Sequence, residues 1–101
     1  MEPYKIKKVE NCFKDSQTYE YLMVITLHIT DIEGFARGDN LDIKTNFRRP
    51  FFIITRENGV KIKGILNSNR IKVSFPDHTW KDLKTDFEEE LIRFLQYKES
   101  K

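Results

Sequence analysis

A chain of 101 residues, 39% of them apolar and 34% charged, with thirteen aromatics (eight Phe, four Tyr, one Trp), can bury one core without metal or disulfide staples, and a single domain over residues 1–101 is expected. Its one cysteine, Cys12, excludes an internal disulfide and makes a reducing cytosol the expected compartment. Neither the polar first ten residues nor the short apolar run at 21–29 suits a signal peptide or a membrane span, so no membrane partner is expected.

The net charge of +2 predicts no partner, but its distribution is uneven. Residues 43–76 hold eight Lys or Arg against one acid, Glu57, a local charge of +7, while residues 1–42 carry −3 and residues 77–101 carry −2. A nearly neutral chain therefore hides a basic middle third.

Tyr4 and Ile6 alternate with Lys5 and Lys7, which predicts a strand within 4–13. Residues 14–17, KDSQ, are turn material. Residues 19–29 are rich in β-branched and aromatic types and predict a second, central strand with both faces covered, completing an N-terminal hairpin. Residues 31–42, DIEGFARGDNLD, carry two glycines and four acids and predict the longest loop. Pro50 cannot donate to a ladder and marks a bulge or the edge of a sheet. Asn58-Gly59 between apolar runs predicts a two-residue hairpin loop, and a second hairpin around Ser68-Asn69 makes 51–75 a three-stranded meander. After Pro76, the residues Trp80, Leu83, Phe87, Leu91, Phe94 and Leu95 recur at helical spacing and predict a C-terminal helix that packs on the sheet. The fold class is α+β, with about five mainly antiparallel strands covered by one helix.

A two-residue loop at Asn58-Gly59 sets Thr55 opposite Ile62, Ile53 opposite Gly64 and Phe51 opposite Leu66. One face then collects Phe51, Ile53, Val60, Ile62, Leu66, Ile71, Val73 and Phe75 as core, with a gap at Gly64 for an aromatic such as Trp80. The other face collects Phe52, Ile54 and Ile65 among Arg56, Lys61, Lys63 and Lys72, flanked by Arg48 and Arg49. These nine residues form the candidate binding surface. Its structural explanations are lysines that keep a sheet from aggregating, or an apolar patch covered by the N-terminal hairpin. Its functional explanations are a protein partner with acidic and apolar groups, or single-stranded nucleic acid stacked on aromatics between cations.

Catalytic and cofactor chemistry finds no pattern. His28 and His78 stand fifty positions apart, one cysteine and two histidines make no zinc spacing, and nothing supports a dyad with Cys12. The acids of 31–42 do not match a calcium loop. RGD at 37–39 and Glu88-Glu89-Glu90 are a short coincidence and a wet helix face. The expectation is a non-catalytic interaction module without a cofactor. Single-stranded nucleic-acid binding is the second reading, and a ligand or metal site at 31–42 is the third.

Overall fold

Strand-forming stretches alternate with charged positions along most of this chain, and all of them join one sheet. The computed structural model describes residues 4–9, 16–36, 38–45 and 48–99, so that Cys12, Arg37 and Phe47 lie outside the described residues. The elements in chain order are β1 (Tyr4–Val9), β2 (Ser16–Leu27), α1 (Ile29–Phe35), β3 (Asn40–Lys44), β4 (Phe51–Thr55), β5 (Lys61–Ile65), β6 (Ser68–Pro76) and α2 (Trp80–Glu99). The fold is α+β, with six antiparallel strands in the order β1-β2-β6-β5-β4-β3. The N-terminal hairpin and the β4–β5–β6 meander form as expected.

The sixth strand comes from the segment expected to be a loop. Residues 31–42 instead supply most of α1 and the start of β3. Ile32 and Ala36, one helical turn apart, are buried, and Phe35 packs beside them. Asp31 accepts a bond from the His28 backbone N–H at 3.0 Å, a fold-back typical of a helix start. In β3, Leu41 and Ile43 pair with Ile54 and Phe52 on the core side, while Asn40, Asp42 and Lys44 face away. Two glycines and several acids outweigh this alternation in a purely local reading; the open edge of β4 settles it by giving Leu41 and Ile43 a place to be buried.

Both helices lie on one face. Phe87 of α2 packs against Tyr21 at 5.3 Å and Phe75 at 5.9 Å between ring centroids. Phe35 of α1 packs edge-on to Phe87 and Phe94. Phe87, Leu91 and Leu95, spaced by four, are the buried stripe of α2. Trp80 stacks on Tyr19, so it does not occupy the space at Gly64.

The β4–β5 turn differs from expectation, and the difference moves a whole strand face. Arg56 N–H donates to Val60 O and Gly59 N–H to Arg56 O, so the loop holds three residues, Glu57, Asn58 and Gly59. Gly59 has φ +94, the left-handed residue that closes such a loop with a bulge. The strands slide by one position: Phe52 faces Gly64, Ile54 faces Ile62, and Phe51 faces Ile65. Phe52 and Ile54 are therefore core residues, each 1% exposed, and Phe51 and Ile53 take the outer face. The reason is steric. Glycine leaves room for a ring, and a Cβ on Gly64 would stand 2.7 Å from Phe52 Cε1 and Cζ. In the second hairpin Gly64 pairs with Ile71 and Ile62 with Val73. That is two positions from the expected register, so those residues keep their face.

Candidate functional site

The helices cover one side of the sheet, and among the described residues no element lies over the other. The strand pairings run across this outer face in rows. One is Asp42–Ile53–Lys63–Lys72–Glu20–Lys7, a second is Asn40–Thr55–Lys61–Ser74–Thr18–Val9. A third holds Lys44, Phe51 and Ile65 on one side and Arg70, Leu22 and Lys5 on the other. The N-terminal hairpin extends this surface beside β6 instead of folding across it. Strand β2 is internal but has only one face covered, and Val24 is 54% exposed.

Among the described residues, seven cations stand on this face (Lys5, Lys7, Lys44, Lys61, Lys63, Arg70 and Lys72) with two carboxylates, Glu20 and Asp42. Both acids have a cationic neighbour, Glu20 at 3.7 Å from Arg70 and Asp42 at 3.4 Å from Lys44. Lys63 lies directly opposite Lys72, an arrangement that costs stability because like charges meet across the ladder. Beside them lie Ile53, Ile65 and the half-buried Phe51. Arg49, Phe51, Lys63, Ile65, Arg70 and Lys72 border a shallow cleft of about 420 Å³ with no acidic residue in its lining among the described residues.

Of the nine expected surface residues, Ile65, Lys61, Lys63 and Lys72 lie on the outer face. Arg48 and Arg49 are exposed ahead of β4, Arg49 on the cleft border. Phe52, Ile54 and Arg56 are corrections, since the one-residue slide puts all three on the helical side. Arg56 lies over the rings of Phe35 and Phe87, 5.1 and 5.9 Å from their centroids. It donates to both oxygens of Glu90 at 2.6 and 2.9 Å and to Asp39 at 3.1 Å. It is a structural clamp between β4, the segment before β3 and α2. Phe51 and Ile53, which sequence reasoning assigned to the core, are the apolar outer residues in their place. Leu22, Lys5, Lys7, Lys44 and Arg70 were missed. Their signal was simple alternation in strands whose neighbours were not known.

Among the described acids of 31–42, Asp31 is turned to the start of α1, Asp39 to Arg56 and Asp42 to Lys44. Among the described residues no group of three His, Cys, Asp or Glu side chains comes together to hold a metal ion. His28 is exposed and its Nδ1 meets Asn67 Oδ1 at 2.9 Å; His78 is exposed in the turn before α2. No helix among the described residues is long and apolar enough to cross a membrane.

Tyr21 of β2 is a buried ionisable group on the helical side of the sheet. Burial pushes the Tyr21 phenol well above the usual tyrosine range, and the bond it donates to Glu88 Oε2 at 2.8 Å pushes it further. The fold thus favours the neutral phenol. Its contribution is complete below the unfolded value, near pH 10, and is lost as the pH rises above it. Urea unfolding should show stability falling above about pH 10, with a slope that approaches roughly 1.4 kcal/mol per pH unit for this one proton. Tyr21→Phe should remove one proton from that slope. An unchanged slope in the variant contradicts the assignment.

Comparison with protein-family models, curated proteins and solved structures finds no significant match to this chain.

Proposed function

We propose that this chain is a non-catalytic protein-interaction module whose bare sheet face docks a partner rich in acidic and apolar side chains. The observation that carries the reading is Lys63 set against Lys72 beside Phe51, Ile53 and Ile65. A face needed only for solubility can alternate charge sign and avoid cross-strand repulsion. Glu20 stands opposite Lys72 but is shared with Arg70, and Ile53 stands opposite Lys63; an arrangement that costs stability and is offset on one side only is expected where a site is built, and an incoming carboxylate relieves it. An apolar centre ringed by charge is the anatomy of a protein interface. Single-stranded nucleic acid is less well matched, because its bases stack on rings and Phe51 is the one aromatic side chain on the described outer face.

The test is a titration of isotope-labelled protein with poly-L-glutamate and, separately, with oligothymidylate of about 20 nucleotides. Poly-L-glutamate should shift amide signals of 61–65 and 70–74, with affinity that weakens as salt is raised. Reversing both charges, Lys63→Glu with Lys72→Glu, should cost about tenfold in affinity. Tighter, face-dependent binding of oligothymidylate would transfer the surface to nucleic acid. Shifts confined to the helical layer, or no binding at low salt, would end the proposal.

A further inference from the structure

We infer that the cleft bordered by Arg49, Phe51, Lys63, Ile65, Arg70 and Lys72 is the anchor point of that docking face, and that it receives one bulky apolar side chain from an extended acidic segment of the partner. This inference rests on the reading of the face as a protein-docking surface and adds where the partner's apolar group sits.

Phe51 and Ile65 are direct cross-strand neighbours, and Ile65 keeps 40% of its surface exposed despite being a large aliphatic residue. Together they make an apolar floor that a partner side chain can dry. The about 420 Å³ of open space holds such a side chain together with the backbone on either side of it. The cleft is open on one side, so it would leave much of a free small molecule in water, whereas such a ligand ordinarily has most of its surface buried. Its walls carry four cations, and no carboxylate among the described residues lines it. The facing ammonium groups of Lys63 and Lys72 lie on the row next to the floor. An acid on either side of an apolar anchor therefore meets a cation without leaving either charge buried alone. A polynucleotide would satisfy the cations but would bring several bases to a floor with a single ring among the described residues.

Random peptides displayed on phage, selected at low salt on the whole protein, test the inference. Selected sequences should place a Leu, Ile, Met or Phe between Asp or Glu residues. Synthetic versions should lose at least about thirtyfold in affinity to Ile65→Asp, the size of loss that marks an interface hot spot. Arg93→Glu, on the exposed side of α2, introduces acid on the other layer and should change affinity less than about twofold. Acid-rich peptides without a shared apolar position, or peptides insensitive to Ile65→Asp yet lost with Lys63→Glu and Lys72→Glu, overturn the anchor and leave the docking face standing. Failure of every acidic peptide and of poly-L-glutamate to bind the folded protein at low salt overturns both.

Discussion

Phe52→Ala is expected to lower the unfolding free energy by about 3–5 kcal/mol, the cost of emptying a buried aromatic site, while Phe51→Ala is expected to cost about 1 kcal/mol. The two phenylalanines are adjacent in sequence and differ in face. The Phe52 ring fills the space over Gly64 and is 1% exposed, whereas Phe51 is half-buried on the outer side. Gly64→Ala supplies a second view of the same contact. Its Cβ would press on the Phe52 ring at 2.7 Å, and the displaced ring should cost roughly 1–3 kcal/mol. In the Phe52→Ala background that cost should shrink, because the new methyl enters a cavity. Urea midpoints of the three single variants and the double variant check the set. Equal losses at positions 51 and 52 would contradict the assignment of faces.

Arg56→Ala should be the next most damaging change, by about 2–3 kcal/mol. The side chain is 11% exposed and carries a two-pronged bond to Glu90 and a further bond to Asp39. Glu90 keeps 39% exposure, so it can rehydrate once its partner is lost, which places the loss below that of a fully buried pair. Arg56→Lys should recover less than half of it, because an ammonium cannot span both Glu90 oxygens or lie flat over Phe35 and Phe87 in the same way. The lost clamp joins α2 to the β4–β5 turn, so amide exchange at residues 56–60 should quicken in the alanine variant. A change below about 0.5 kcal/mol, the range of ordinary surface substitutions, would contradict the clamp.

The legible parts of the fold are those where only one face of an element is apolar. In β5 and β6, Lys61, Lys63, Arg70 and Lys72 alternate with Ile62, Ile71, Val73 and Phe75. No shift by an even number of residues changes their face, and the sequence reading placed all of them but Arg70, which it left unassigned, despite an inexact second hairpin. The stripe of α2 was legible for the same reason. The apolar run FFII of β4 fits either orientation, so its direction rests on the turn alone. Asn-Gly suits a two-residue loop and also a three-residue loop with glycine last. The deciding information is non-local: Leu41 and Ile43 of β3 lie opposite Ile54 and Phe52, and Gly64 makes room for one ring. Because β3 read as loop, that information was hidden and the candidate surface acquired Phe52, Ile54 and Arg56 in place of Phe51 and Ile53. The basic character of the face survived the error because it resides in β5 and β6.

Cross-strand proton contacts in a nuclear Overhauser spectrum test the placement of the outer face most directly. The structure predicts contacts pairing Phe52 with Gly64 and Ile54 with Ile62, together with contacts from the Phe52 ring to Ile71. Contacts pairing Ile53 with Gly64 and Phe51 with Leu66 would return Phe51 to the core, place Phe52 among the lysines and contradict the site described above.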